Sequence, residues 1–231
     1  MSSVTRATDW RPSTVAAIAP ETPRAATLTL DVPGWNGHRA GQHVDVRLTA
    51  EDGYRAQRSY SISSAPGDGQ PRITVVEADG GEVSGWMVSV AREDDTFEVR
   101  GPFGGWFVWE PRVTEPLLLI GGGSGMVPLM SMLRAGARGR VLVSARDPDD
   151  LLFADELRRL GTEVIPTYTR WAPRGWAGYT RRVDYPMLKA WAGTPGPRVY
   201  VCGPTAFVES VANDLVALGH DPANIRTERF G

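Results

Sequence analysis

The stretch PLLLIGGGSGMVPLMSMLRAGA, Pro116 to Ala137, restricts what this chain can fold into more than any other segment. Its apolar run, Leu117 to Ile120, has the length of a buried strand and is far too short to span a bilayer. A glycine turn, Gly121 to Gly125, then leads into a segment with helical character. The same order returns further on. RVLVSARD is an apolar strand, DDLLFADELRRLG an amphipathic helix closed by Gly161, and EVIPTYTR a third strand. PRVYVCGPTAFVESVANDLVALG is again strand, turn and helix. Strands alternating with helices predict an α/β doubly wound domain on a parallel sheet.

Before Pro111 the pattern is different. TVAAIAPET, AATLTLDVP, QHVDVRLTA, RSYSISSAP, RITVVEA and DTFEVRGPF are short β-rich runs, with Gly, Pro, Asp or Asn between most of them. This spacing predicts a small antiparallel β-barrel or sandwich. One helix interrupts it, at Val83 to Ala91, after the Gly80–Gly81 pair. The polar, proline-bearing connector EPRVTEP, Glu110 to Pro116, separates the two patterns, which predicts a first domain over 1–112 and a second over 113–231.

Composition removes several function classes. With 25 Lys and Arg against 27 Asp and Glu, the net charge is -2, so there is no basic footprint for nucleic acid or an anionic membrane. The first residues, MSSVTRATDWRP, lack an apolar core of the secretory type, and a cytoplasmic location is the default. A single cysteine, Cys202, excludes an intrachain disulfide, a four-cysteine iron–sulfur cluster and a multi-cysteine zinc site. The three histidines, His38, His43 and His220, are too dispersed to suggest a metal centre. Redox chemistry here would need an organic cofactor. Nothing in the sequence sets an oligomeric state.

Three short segments carry chemistry. The glycines of GGGSG let backbone approach a phosphate, and the helix that follows offers unpaired N–H groups; a tight turn needing positive φ is the plainer reading. The strand–turn–helix context favours a pyrophosphate, although the spacing is not the strict G-x-G-x-x-G fingerprint. VCGPTAFV repeats the arrangement, with Cys202, Gly203 and Pro204 at a strand end, where ligands of doubly wound folds bind; taken alone, Cys202 reads as a small buried residue. In AQRSYSIS, Ala56 to Ser63, an arginine, a tyrosine and three serines alternate along a strand, which by itself suggests an exposed face with hydroxyl pairing.

Taken in order, R-x-Y-S, GGEVS, GPFGGWF, GGGSGMVPL and CGPTAFV resemble the ferredoxin–NADP reductase superfamily over nearly the whole chain. The likeness is greatest to the flavin-plus-nicotinamide portion of bacterial oxygenase reductases and flavohaemoglobins, without a ferredoxin or globin domain. The resemblance implies that Arg58 neutralises the flavin phosphates, Tyr60 stacks on the isoalloxazine and Ser61 lies near N5, with Ser59 beside them. It makes Gly81, Glu82, Val83 and Ser84 a second phosphate element, although Ser84 alone reads equally well as a helix cap. A pyrophosphate needs more donors than one arginine, which favours FAD over FMN.

On the nicotinamide side the resemblance implies that Gly122, Gly123, Ser124 and Gly125 hold the coenzyme, with its ring near Cys202, Gly203 and Pro204. The terminal E-R-F resembles the family's tail, with Phe230 covering the flavin face and Glu228 at the ring edge. Ser144 and Arg146 stand where nucleotide folds read the adenosine ribose, with Arg170 and Arg181 as further cations, so NADPH is favoured. Asp147 keeps NADH as the alternative. The function implied is a flavoprotein reductase that takes hydride from NADPH onto FAD and passes electrons to a separate partner such as a ferredoxin. Alternatives are a free flavin or ferric reductase, and a non-catalytic flavin-holding subunit of a larger complex.

Overall fold

The computed structural model describes residues 7–230. Residues 1–6, half of the stretch in which no secretory-type core was found, and Gly231 lie outside the described residues. The first sheet holds β1 (Arg11–Thr22), β2 (Ala25–Asp31), β3 (His43–Thr49), β4 (Arg55–Ser61), β5 (Arg72–Val76) and β6 (Thr96–Phe103), in the order β4-β3-β6-β1-β2-β5. All neighbours are antiparallel. Just past β4, Ile62 bridges to Ile73 of β5, which joins the two outer strands and closes a barrel. Strand β1 is long because it serves two partners, β6 through Arg11–Thr14 and β2 through Thr14–Thr22; its two irregularities let it bend between them. Alternation does the rest. Val44 and Val46 of β3 point into the barrel core with Leu28, Leu30, Val75 and Val99. The predicted helix is α1 (Glu82–Gly85) continued by a wider π-type turn, Trp86–Val90, and it lays Val83 and Met87 on that core.

The second sheet is parallel, with β7 (Leu117–Gly122), β8 (Gly139–Ala145), β9 (Glu163–Tyr168), β10 (Val199–Pro204) and β11 (Ile225–Phe230) in the order β11-β10-β7-β8-β9. Every residue of the central β7 is buried, as expected for a strand covered on both faces. Odd-numbered β7 residues, Leu117 and Leu119, meet α2 (Met126–Arg134) and α3 (Ala154–Arg159). Even-numbered Leu118 and Ile120 meet α4 (Tyr185–Ala192) and α5 (Thr205–Ala217). Ala25, Ala40, Phe107 and Trp109 come from the N-terminal side and share the first of these cores, so the barrel packs on the α2 face. Polar contacts join the same surfaces: Ser131 Oγ donates to the Ser64 carbonyl at 2.6 Å, Arg134 to the Ser63 carbonyl at 2.7 Å, and Tyr200 Oη to the Val108 carbonyl at 2.9 Å.

Three elements differ from expectation. The helix read from DDLLFADELRRLG covers only six residues, Ala154–Arg159. Ahead of it, Asp147 caps a 3-10 turn over Pro148–Asp150, and Phe153 takes a left-handed φ of 57° and buries its ring beneath the Arg134 guanidinium. Helix α4 was not predicted, though Asp184 followed by Tyr185–Pro186 is a helix-start signal and the Asp184 carboxylate does accept from the Met187 N–H at 2.9 Å. The terminal IRTERF, read as a tail, is an edge strand in register with β10.

The tightest constraint in this half is the seat of the glycine turn. A Cβ on Gly125 would stand 2.0 Å from the Cys202 carbonyl oxygen and 2.8 Å from the Gly203 nitrogen. Gly125→Ala should therefore destabilise the protein by roughly 1–3 kcal/mol, read as a lower melting temperature in thermal unfolding. Gly123→Ala has open space around its Cβ and only the left-handed φ of 55° to oppose it, so it should cost less, about 1 kcal/mol.

Candidate active site

Two rows of residues meet where the sheets join. Across β4, β3 and β6, Ser61, His43 and Phe103 are cross-strand neighbours. Across β7, β10 and β11, Gly121, Cys202 and Glu228 are neighbours at the carboxyl ends of parallel strands. His43 Nδ1 stands 3.8 Å from Glu228 Oε1, linking the rows. Phe230, opposite Pro204, packs against the core shared by barrel and α2. Burial dominates the electrostatics. It raises the Glu228 carboxyl to about 7 and lowers the His43 imidazole, against which the Asp45 charge pulls weakly. Burial, then the Glu228 charge, push the Cys202 thiol well up, so Cys202 is a small neutral wall and no nucleophile.

On β4, the Arg58 guanidinium is exposed and hydrogen-bonded only to the neighbouring Gln57 carbonyl, at 2.7 Å. No carboxylate pairs with it among the described residues. Tyr60 leans on the barrel core, and burial pushes its phenol up to about 12, so it stays neutral. Ser59 is committed elsewhere: its hydroxyl donates to Asp45 at 2.6 Å, and Arg100 holds the other oxygen of that carboxylate at 2.9 Å. Past β5, no side chain caps the start of α1, which leaves the first-turn N–H groups after Gly81 open. Ser84 is buried within that turn, accepting from the Ala78 N–H at 3.1 Å and donating to the Gly81 carbonyl at 3.4 Å. Ser84 therefore ties the Ala78–Gly81 turn to the helix and caps no first-turn N–H, unlike the cap reading, and Glu82 takes a hydrogen bond from the Tyr54 hydroxyl at 3.2 Å.

In the parallel half, helix starts fall into two kinds. The starts of α2 and α5 have neither a capping side chain nor an acid in the first turn. By contrast α4 is capped by Asp184, the 3-10 turns at Pro148 and Pro222 by Asp147 and Asp221, and α3 carries Asp155 and Glu156 in its first turn. The starts with neither a capping side chain nor a first-turn acid are those that follow the glycine turn (Gly122, Gly123, Ser124, Gly125) and the Cys202–Gly203–Pro204 turn. Both are arranged to receive an anion. Gly122 and Gly203 flank the Phe207 ring so closely that a Cβ would stand 2.9 and 2.7 Å from it.

At the end of β8, Ser144 is half-buried, and Arg146 makes only a loose contact with Asp150 at 3.6 Å. Arg170 is its neighbour, donating its backbone N–H to the Arg146 carbonyl at 2.8 Å. Arg181 is different. Its guanidinium holds Asp184 at 2.6 and 3.3 Å, so this arginine braces the cap of α4. Asp147, the residue that kept NADH open, is likewise occupied with capping its own turn. An unpaired arginine on β4 beside open helix starts is a donor set that fits the pyrophosphate of a flavin dinucleotide, and the α2 and α5 starts with Arg146 and Arg170 fit a second dinucleotide. The residue that sequence reasoning missed is His43. It was weighed only as a metal ligand, and no local pattern ties it to Glu228.

Comparison with known proteins agrees with this division of labour. A family model for the oxidoreductase FAD-binding domain matches residues 18–108, and one for the oxidoreductase NAD-binding domain matches residues 119–213. Ferredoxin–NADP reductase B of Sorangium cellulosum is 33% identical over 83% of this chain and 84% of that protein. The chain belongs to the ferredoxin–NADP reductase superfamily. The chain is also 30% identical, over 88% of its own length, to the 2-halobenzoate 1,2-dioxygenase electron transfer component of Burkholderia cepacia, of which it spans 62%. It spans 56% of the glycine betaine monooxygenase reductase subunit of Pseudomonas aeruginosa. In fold it matches the FAD/NAD-binding domain of a Vibrio cholerae nitric oxide dioxygenase, with a TM-score of 0.82 and 24% identity over 96% of this chain and 98% of that one. A ferredoxin NADP+ reductase from Neisseria gonorrhoeae gives a TM-score of 0.82 at 21% identity, over 95% and 98%. The chain thus carries an FAD-binding and an NAD-binding domain of the oxidoreductase type.

Arg58→Ala tests the β4 assignment. A charge-assisted phosphate contact contributes roughly 1.5–3 kcal/mol. The variant should stay folded by circular dichroism and lose most of its flavin, measured as visible absorbance per protein. Full occupancy would remove Arg58 from the site.

Proposed function

We propose that this protein is an NADPH-dependent reductase that passes electrons through FAD to a separate redox protein such as a ferredoxin. The observation that carries the proposal is the meeting of the Ser61–His43–Phe103 and Gly121–Cys202–Glu228 rows, one from the FAD-binding match and the other spanning the NAD-binding match and the terminal strand. FAD, when bound, supplies an acceptor for two electrons that can release them one at a time. The chain's own residues bind and align. Arg58 and the open start of α1 hold the flavin phosphates, Tyr60 offers a ring to stack on, and Ser61 borders the reacting edge. Gly121 to Gly125 and the Cys202–Gly203–Pro204 turn seat the coenzyme, with the buried thiol as a neutral spacer and Phe230 as a cover over the flavin face. No side chain needs to be a nucleophile; the work of the site is alignment.

The names of relatives support a protein acceptor, since the Burkholderia cepacia protein is an electron transfer component and the Sorangium cellulosum protein a ferredoxin–NADP reductase. Part of the proposal is that the flavin and nicotinamide halves divide near residue 112, in the Glu110–Pro116 connector. Another part is a cytoplasmic location, where a reductase draws on the intracellular nicotinamide pool. No helix among the described residues is long and apolar enough to cross a membrane. Anaerobic mixing with NADPH should bleach the visible flavin band, and a ferredoxin added next should restore it. A flavin band that NADPH leaves untouched would mark a non-catalytic subunit.

Coenzyme choice turns on Arg146, with Arg170 beside it and Arg181 withdrawn to Asp184. A contact to the 2′-phosphate is present in ground and transition states alike, so losing it raises KM and leaves kcat nearly unchanged. Arg146→Ala should lower kcat/KM for NADPH about tenfold to a hundredfold, the equivalent of roughly 1.5–3 kcal/mol, and barely affect NADH. Ferricyanide reduction with both coenzymes reads this out. Equal losses for the two would make Arg146 structural and return NADH to the lead.

A further inference from the structure

We propose that His43 is the positioning residue of Glu228: its Nδ1 is the hydrogen-bond partner of the carboxyl across the junction of the two sheets, and the two side chains share one proton. The geometry is specific. Nδ1 is buried without a hydrogen-bond partner and faces Glu228 Oε1 at 3.8 Å, a gap that a small side-chain rotation closes. Among the described residues no other ion pair reaches Glu228.

The groups around the pair are occupied or neutral. On β3, Asp45 is held by Arg100 and Ser59. From β6, Arg100 is spent on Asp45 and on the rings of Trp10 and Phe103. From β4 comes the Ser61 hydroxyl, and from β10 the Cys202 thiol, which burial keeps protonated. On β11, Arg226 is bound to the carbonyls of Trp106 and Val108, and Arg229 is exposed. From the loop before β3, Arg39 lies 3.5 Å from Glu110, and Gln42 donates to the Gly104 carbonyl at 2.8 Å. That leaves the imidazole to answer for the carboxyl.

An imidazole suits this task because Glu228 changes role near neutrality. Below about 7 the carboxyl carries a proton and needs an acceptor; above it, the carboxylate needs a donor. The Nδ1 of a neutral imidazole is either one, according to which nitrogen holds the hydrogen. Burial disfavours the charged form of both groups, so it raises the acid and lowers the base until one proton is all that the pair retains. That proton sits where Ser61 and Cys202 bracket the reacting rings of the proposed reaction. The inference takes its purpose from that reading, but the pair can be titrated with neither nicotinamide nor acceptor present, so the two can fail separately.

The test is carbon-13 NMR of flavin-loaded protein labelled at Glu and His, with Glu228→Gln assigning the carboxyl resonance. The wild-type Glu228 carboxyl should titrate at about 7. His43→Phe removes the donor that stabilises the carboxylate, so the midpoint should rise by about one pH unit or more. In His43→Asn an amide can donate or accept near the former Nδ1 position, and the midpoint should stay within about half a unit of the wild type. Through the same titration the neutral His43 ring should pass from the Nε2–H to the Nδ1–H tautomer as pH rises, read from its ring carbons, and Glu228→Gln should abolish that change. A Glu228 midpoint that His43→Phe leaves in place, or a His43 tautomer that does not follow the Glu228 titration or follows it equally in Glu228→Gln, overturns the proposal. If His43→Phe does not fold, the Glu228→Gln arm decides alone.

Discussion

The seat of Gly125 on the end of β10 is the contact on which the parallel half depends. With no side chain between them, the turn after β7 lies directly on the Cys202 carbonyl and the Gly203 amide. Two consequences follow. The start of α2 and the start of α5 are drawn to one edge of the sheet, and Cys202 is sealed between strands with no access to water. Any larger residue would separate β10 from the turn and move apart the two helix starts that the site needs together.

The second dependence is on burial as a tuner of charge. At the meeting of the sheets the titrating side chains are buried, so desolvation is the largest influence on the state of each group. It keeps Cys202 a thiol, Tyr60 a phenol and Glu228 an acid that changes form near neutral pH. Away from the junction the pattern reverses. Arg47 with Glu98, Arg134 with Glu156 and Arg140 with Glu163 form bidentate pairs, each of which holds its carboxylate below the ordinary range. Arginines that are paired brace the scaffold, while Arg58 and Arg170 remain available to a ligand.

Much of the fold was legible because it rests on local periodicity. Alternating apolar residues marked the barrel strands, and the apolar run into a glycine turn marked the βα units. Where the reading fell short, a tertiary contact had overruled the local pattern. The helix expected from Asp149 onward is cut short because Phe153 adopts a left-handed φ to bury its ring under Arg134. Strand β11 exists because β10 offers an edge to pair with; IRTERF on its own alternates too weakly to declare a strand. Ser59, Ser84 and Arg181 carry the right chemistry for a ligand and are each taken by a neighbour: Asp45, the Gly81 turn and Asp184.

By itself the sequence determined the class of fold, the order of its two halves, the family and the dinucleotide chemistry, since each follows from residue type at fixed short spacing. It also showed that these 231 residues, with Cys202 alone, cannot supply the four cysteines of an iron–sulfur cluster. Only the tertiary structure decided which arginines are free, which helix starts lie open, and that His43 faces Glu228 at 3.8 Å. The physical reason is that hydrogen-bond and ion-pair partners compete for each polar side chain. The winner is set by three-dimensional distance, which spacing along the chain does not encode for residues on different sheets.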